Sequence, residues 1–248
     1  MKKIILAILI ALTACTPDTE TIIETVNITD SPISDSTKSI GTGGIYYIDN
    51  SATWTNDRIW IMDGKVVVRE GGVLNIEEGT IIKAQNGQGV EATALVIAAG
   101  ATINALGSFN NPIIFTDIGD NIDYTDKAIS PNRKTTDTGK WGGIIVLGNA
   151  IVGEDGGSDD IEGIASGYSW TAYGGDNDLD SSGFISYVSI RHSGTQLAGG
   201  DEIQGLTLAG VGSETELSNI EVVGSNDDGI EIFGGAAVLT NILILNQR

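Results

Sequence analysis

The feature that most constrains the fold is a repeat of short apolar segments 22 residues apart. Residues 218–223 and 240–245 read SNIEVV and TNILIL, which makes Asn219 and Asn241 equivalent positions. Between them the sequence IEIF at 230–233 supplies a further short segment, bounded by Asp-Asp-Gly and Gly-Gly. A repeat of this length with two or three short strands is typical of one coil of a parallel β-helix. We therefore predict an all-β fold, a right-handed parallel β-helix.

Short β-branched segments recur from residue 45 onward and are separated by Gly, Asn and Asp. The chain has 34 Gly and 4 Pro with only 6% aromatic residues, which indicates many tight turns around an aliphatic interior. Alternation in the last segment places either Ile242 and Ile244 or Leu243 and Leu245 inside. The predicted strands include 65–69, 73–76, 80–83, 95–98, 112–116, 143–147, 185–190, 205–208, 220–223, 230–233 and 241–245.

The first fifteen residues have the pattern of an export signal. Lys2 and Lys3 precede an apolar run at 4–12 that is too short to span a bilayer, and Leu-Thr-Ala-Cys follows. This stretch resembles a bacterial lipoprotein signal peptide with its lipobox. The resemblance implies that residues 1–14 are removed and that Cys15, the single cysteine of the chain, carries the lipid, palmitate included. We expect the mature protein to be anchored to the outer membrane or the cell surface.

The remaining chain divides into a tether and a folded body. Residues 15–40 are rich in Thr, Ser and Asp and are predicted to form a flexible tether, although their isolated Ile residues could add a short strand. Residues 41–248 are predicted to form the β-helix domain, with polar insertions near 117–140 and 153–183. Loops of that length are usually functional or disordered. Because the chain stops directly after an apolar strand with no polar cap, we expect a C-terminally truncated product; the alternative is that another chain covers the end.

Several motifs within residues 60–248 resemble those of a single protein family. They are the coil ALVIAAGATINALGSFNNPIIFTD at 94–117, WGGIIVLG at 141–148, YVSIRHSG at 187–194 and DDGIEIFGG at 227–235. Together they resemble a family of β-helix surface lipoproteins from Bacteroidetes-type bacteria. The resemblance implies the fold and the surface location rather than a reaction.

The charge of the chain excludes one class of partner. Removing the leader takes away two lysines and no acids, so the mature formal charge is 11 − 33 = −22. Such a surface repels nucleic acid, and we expect no nucleic-acid partner. With one histidine and no free thiol, the usual ligand sets for zinc, copper and haem are missing.

An acidic turn offers a candidate calcium site. Asp176, Asp178 and Asp180 alternate along the sequence DNDLDSSG, so their carboxylates are predicted to point the same way. Ca²⁺ takes six to eight oxygen ligands, which carbonyl groups and water can complete. The alternative interpretation is a solvated acidic turn.

Two residue pairs are candidates for catalysis. Asp227 and Asp228 resemble the paired acids of β-helix glycosidases, but the rest of that constellation is missing, and both residue types are common at coil corners. Arg191 and His192 offer the base that a polysaccharide lyase needs. The negative charge of the chain opposes capture of a polyanion, and a hydrogen-bonded structural histidine is the alternative.

Three aromatic residues, Tyr168, Trp170 and Tyr173, lie together in the second insertion. Exposed aromatic rings stack on sugars, so they form a candidate glycan-binding loop, with local packing over the coil as the alternative. The leading hypothesis is a lipid-anchored, calcium-stabilised surface module without enzymatic activity. It would act in binding, adhesion or scaffolding, with a polysaccharide or another surface protein as its partner. The competing hypothesis is a carbohydrate-active enzyme, a polysaccharide lyase or a glycoside hydrolase, acting on exported polysaccharide.

Overall fold

The computed structural model describes residues 37–125, 129–155, 157–164, 167–196 and 202–248. The predicted signal peptide and Cys15 lie outside these residues. Within them no helix is long and apolar enough to cross a membrane. The elements are one 3₁₀ helix, Gly89–Glu91, and the strands β1 Thr37–Ile40, β2 Ile45–Ile48, β3 Ser51–Trp54, β4 Ile59–Met62, β5 Lys65–Val68, β6 Val73–Ile76, β7 Ile81–Ala84, β8 Ala94–Ile97, β9 Thr102–Leu106, β10 Ile113–Asp117, β11 Gly143–Leu147, β12 Asp159–Asp160, β13 Ala172–Tyr173, β14 Gly183–Arg191, β15 Thr195–Gln196, β16 Glu202–Ile203, β17 Leu206–Ala209, β18 Glu216–Val223, β19 Ile230–Phe233 and β20 Val238–Leu245.

Parallel pairing between successive coils builds three faces. The first face contains β3, β6, β9 and the first halves of the long strands β14, β18 and β20. The second face contains β1, β4, β7, β10 and the second halves of the same three long strands. The third face contains β2, β5, β8, β11, β17 and β19. Among the described residues, antiparallel pairing is confined to the two-residue ribbons β12–β13 and β15–β16. The prediction of an all-β parallel β-helix is confirmed.

The register confirms the repeat that the sequence predicts. Ser218 pairs with Thr240 and Ile220 with Ile242, a separation of 22 residues. Because Ile220 belongs to the core and Ile242 packs against it, the isoleucine side of β20 faces inward. Stacked aliphatic side chains form the interior, and full burial of each contributes roughly 1.5–3 kcal/mol. One such ladder on the third face contains Ile48, Val68, Ile97, Val146 and Leu208.

A column of left-handed residues makes the corner between the first and second faces. Tyr187, Asn219 and Asn241 have φ angles of 51°, 53° and 56°. Asparagine tolerates this conformation because its short polar side chain bonds locally. Asn241 Nδ2 donates to Asn219 Oδ1 at 3.3 Å, which links two coils at the corner. Tyr187 occupies the same position without that advantage.

Both insertions contribute apolar side chains that cover outer surfaces of the coil. On the third face, the outward Val67, Val96 and Ile145 are buried with Ile161 and Trp170 from the second insertion. On the second face, outward isoleucines of β4, β7 and β10 pack with residues of the first insertion; this cluster contains Ile59, Ile81, Ile114, Ile122 and Tyr124. The covered strands are therefore apolar on both sides, which explains continuous apolar runs such as the three valines that follow Lys65 in β5.

The folded part includes the end of the predicted tether. β1 pairs in parallel with β4, with Thr37 opposite Ile59 and Ile40 opposite Met62. Thus at least the last four residues of the 15–40 segment form part of the second face. The short strand that its isolated isoleucines allowed is present there.

Candidate functional site

Two of the three predicted glycan-binding aromatics line a cleft on the outer side of the third face. We call this the aromatic cleft; it measures about 390 Å³, and its lining includes Lys65, Glu91, Ile164, Tyr168 and Trp170. Lys65 comes from the start of β5 and Glu91 from the 3₁₀ helix, while the second insertion supplies the other three.

Glycines make room at the floor of the aromatic cleft. Gly64 has a φ of +86°, and a Cβ placed there would lie 2.1 Å from the carbonyl oxygen of Gly44. Both residues line the cleft. Their lack of side chains therefore keeps the backbone close and the cleft accessible.

A row of four planar side chains crosses the outer surface beside the aromatic cleft. The rings of Tyr168 and Trp170 stack with centroids 5.1 Å apart and 21° between planes. Trp170 Nε1 donates to the Tyr47 hydroxyl at 3.3 Å, and the Arg69 guanidinium lies 4.2 Å from the Tyr47 ring centroid. Asp49 holds Arg69 in place by accepting bonds of 2.5 and 2.7 Å from Nε and Nη2. We call Tyr168, Trp170, Tyr47 and Arg69 the planar row.

A second cleft lies at the other end of the planar row. It measures about 540 Å³, and its lining includes Asp49, Arg69, Glu70, Ser169 and Trp170. Trp170 borders both clefts. We call this the Arg69 cleft. The planar row therefore connects two concave regions, each with charged groups at its rim.

The structure divides the three predicted aromatics by exposure. Tyr168 is 39% exposed, whereas Trp170 and Tyr173 are 5% and 4% exposed. Tyr173 packs at a tilt against Phe233 and does not line the aromatic cleft, the geometry of the alternative interpretation, local packing over the coil. Trp170 is a fixed wall, and Tyr168 presents the accessible ring.

Lys65 is the cation of the aromatic cleft. Its side chain is largely buried, and its Nζ donates to the Ala92 carbonyl. Burial lowers the pKa of Lys65 to about 8, while the nearby Glu91 carboxylate opposes that shift. At neutral pH the ammonium group predominates. An aromatic ring beside an ammonium and a carboxylate provides the apolar surface and the hydrogen-bonding groups that a sugar ring requires.

Arg191 lies in a groove on the outer side of the second face. Its Nε donates to Ser189 Oγ at 2.8 Å, and Ser189 Oγ donates to Glu221 Oε1 at 2.6 Å. The Arg191 Nη2 lies 3.7 Å from the same Glu221 oxygen. Two adjoining cavities share Arg191 and Glu221, and we call them together the Arg191 groove.

His192 is a corner residue of its coil. It has a φ of 60°, is buried, and has Nδ1 2.8 Å from the Asp137 carbonyl oxygen. That acceptor assigns the proton to Nδ1 in the neutral ring. In the next two coils the equivalent positions are Gly224 and Asn246, which also have left-handed backbone conformations. The geometry is that of a hydrogen-bonded structural histidine at the wall of the Arg191 groove.

The structure does not bring Asp227 and Asp228 into the Arg191 groove. Neither residue lines its cavities, where Glu221 is the one carboxylate among the described lining residues. Asp227 Oδ1 accepts the N–H of Asp228 at 2.7 Å, and Gln196 Nε2 donates to Asp227 Oδ2 at 3.3 Å. These contacts are those of a coil corner. A hydrolytic role for the pair stays a prediction.

The predicted calcium ligands are engaged with a neighbouring turn. Asp180 Oδ2 accepts the N–H of Asn149, and Asp178 Oδ1 accepts the N–H of Ile151, both at 3.0 Å. Asp176 is exposed. Within the described residues there is no group of three or more His, Cys, Asp or Glu residues that could hold a metal ion. The calcium site stays a prediction.

Comparison with known protein families identifies the domain. Residues 46–248 match the family model described as a pectate-lyase like β-helix domain. The chain belongs to this family. No curated protein and no solved structure matches the chain. The pectate-lyase like β-helix domain is compatible with a binding module and with a carbohydrate-active enzyme. Membership of the family therefore does not distinguish these two functions.

Most of the residues that line the aromatic cleft or form the planar row were not predicted from the sequence. Tyr47, Arg69, Lys65 and Glu91 precede Tyr168 by roughly 80 to 120 residues. Only the tertiary fold brings them to the second insertion. One sequence signal was available, since Lys65 is a charged residue at the start of an otherwise apolar strand.

Proposed function

We propose that this protein is a lipid-anchored surface β-helix that binds glycans in the aromatic cleft without changing them chemically. The observation that carries the proposal is the planar row, fixed by stacking and hydrogen bonds and bordered by two clefts. A ligand site whose aromatic walls are already positioned loses little conformational entropy on binding. Tyr168 supplies the exposed ring, and Lys65 and Glu91 supply donors and acceptors for hydroxyl groups.

The binding proposal is tested with a glycan array followed by calorimetric titration of the best ligand. We expect Tyr168→Ala to weaken binding at least tenfold, equivalent to about 1.4 kcal/mol. Phe109→Ala is the matched control, because Phe109 is an exposed aromatic outside both clefts. Equal affinity of the wild type and Tyr168→Ala, or no bound glycan at all, would overturn the proposal.

An enzymatic role is the second candidate, and the Arg191 groove is the observation that favours it. Arg191, Ser189 and Glu221 form a hydrogen-bonded set in an open groove. The experiment is incubation with plant and bacterial polysaccharides, followed by assays for unsaturated products and new reducing ends. Activity that disappears in Arg191→Gln would replace the binding proposal with a lyase or hydrolase.

Lipid anchoring is a separate part of the proposal and depends on Cys15. We expect the wild-type protein to incorporate labelled palmitate and to partition into detergent, and we expect Cys15→Ser to do neither. A wild-type protein that stays in the aqueous phase would remove the anchor and the surface location together.

A further inference from the structure

We infer that the planar row binds an internal stretch of a neutral, linear oligosaccharide at least three sugar rings long, rather than a terminal sugar or a polyuronate. This inference rests on the proposed function and specifies the ligand of the same site. Three observations carry it: the length of the row, the position of polar groups at both ends, and the charge of the two clefts.

The length of the site exceeds one sugar ring. Lys65 lines the aromatic cleft and Arg69 lines the Arg69 cleft, one at each end of the same extended segment. Four residues of extended chain span about 13 Å at roughly 3.3 Å per residue. A single pyranose ring is shorter than this span. A ligand that contacts both clefts is therefore a chain.

The planar row connects the two clefts without interruption. Tyr168 stacks on Trp170, Trp170 is hydrogen-bonded to Tyr47, and Tyr47 lies under Arg69. At one end Tyr168 is 39% exposed, and at the other the Arg69 side chain is 43% exposed. Trp170, 5% exposed, fixes the spacing of the two ends. A linear glycan that extends from one cleft to the other would contact the accessible Tyr168 ring at one end and the Arg69 guanidinium at the other.

The charges at both ends favour a neutral chain. Each end combines opposite charges, with Lys65 near Glu91 in the aromatic cleft and Arg69 bonded to Asp49 in the other. Glu70 adds a third carboxylate to the described lining. The lining thus has three carboxylates against two cations, within a chain of formal charge −20. A chain of uronates would be repelled, whereas neutral hydroxyl groups pair with both signs.

The experiment is a titration series of the full protein by calorimetry. The probes are glucose, mannose and xylose with their linear β-1,4 oligomers of two to six units, and oligogalacturonates of the same lengths. We expect affinity to rise at least tenfold from monosaccharide to trisaccharide and then to level off. Arg69→Ala is expected to weaken binding of the trisaccharide at least threefold and to reduce the gain in affinity from monosaccharide to trisaccharide.

The matched control for Arg69→Ala is Arg58→Ala. Arg58 also donates two bonds to an aspartate, Asp57, at 2.8 and 2.6 Å, but it lines neither cleft. We expect Arg58→Ala to bind every probe like the wild type. Circular dichroism melts of both variants establish that they are folded.

The outcomes separate the inference from the function on which it rests. Monosaccharides that bind as tightly as trisaccharides would overturn the chain-length inference and leave glycan binding in place. Preferential binding of oligogalacturonates would overturn the charge argument alone. Failure of every neutral and acidic probe, together with an empty glycan array, would overturn the proposed function itself.

Discussion

Glu231 provides the sharpest physical test of the structure. It points outward on β19, and the register places it opposite Thr207, in the column of outward residues that begins with Tyr47 and continues through Val67. Its Oε2 atom is buried and has no hydrogen-bond partner among the described residues. Burial, followed by the negative charges of Glu162, Asp228, Asp227 and Glu202, raises the pKa of Glu231 to about 7. The folded protein therefore holds this proton more tightly than the unfolded chain does.

The sign and size of the effect follow from that pKa. Because the folded value lies above the unfolded value of 4.5, the free energy of unfolding falls as pH rises from 4.5 to about 7. At 1.36 kcal/mol per pH unit, the ceiling of the loss is about 3 kcal/mol. Solvent around the partly exposed side chain screens the charge and reduces the expected loss to about 1–2 kcal/mol.

Glu231→Gln removes the charge and keeps the shape. We expect the variant to be more stable than the wild type by about 1–2 kcal/mol at pH 8 and equally stable at pH 4.5. For a domain of this size the gain corresponds to a melting temperature about 2–8 °C higher. Thermal melts by circular dichroism at pH 4.5, 6, 7 and 8 measure the difference. Glu78→Gln, at an exposed position, is the control. The same shift at pH 4.5 and pH 8, or no shift at pH 8, would refute the argument.

Three further perturbations test other parts of the structure. Tyr187→Asn places the residue used by the next two coils at the left-handed corner, and we expect urea denaturation to show a gain of about 0.5–1 kcal/mol. Gly224→Ala introduces a Cβ 2.2 Å from the Asp137 carbonyl oxygen at a φ of +71°, so a loss of more than about 2 kcal/mol is expected in the same assay. If Asp176, Asp178 and Asp180 bind Ca²⁺, a chelator lowers the melting temperature; an unchanged midpoint removes the metal.

The strands were largely predictable because each carries its own signal. Every predicted segment overlaps an observed strand, since short β-branched runs between Gly, Asn and Asp are a local pattern. The predicted segments do not cover β2, β3, β4 or β9, or the strands of the two-residue ribbons. In β3, with the sequence SATW, small and polar residues replace the repeated Ile and Val, so the local signal is weak.

The candidate site was predictable only in part. Tyr168 and Trp170 are close in sequence and drew attention as aromatics in a polar loop. Their contacts with the region of Tyr47, Lys65 and Arg69 could not be predicted, because these residues are distant along the chain and the contacts depend on where the insertion folds. The same limit applies to Tyr173, whose burial against Phe233 no local pattern indicates.

The sequence by itself determined that this protein is a parallel β-helix. The length of the repeat indicates one coil, and the alternation of apolar residues within each strand indicates which side chains face inward, so both signals can be read along the chain. Only the tertiary structure decided what the insertions do. They cover outer faces of the coil with apolar side chains, bury Trp170, and bring cations and carboxylates from distant strands to a common surface. Contacts between segments more than a hundred residues apart depend on how each insertion folds over the coil, so the repeat in the sequence does not predict them.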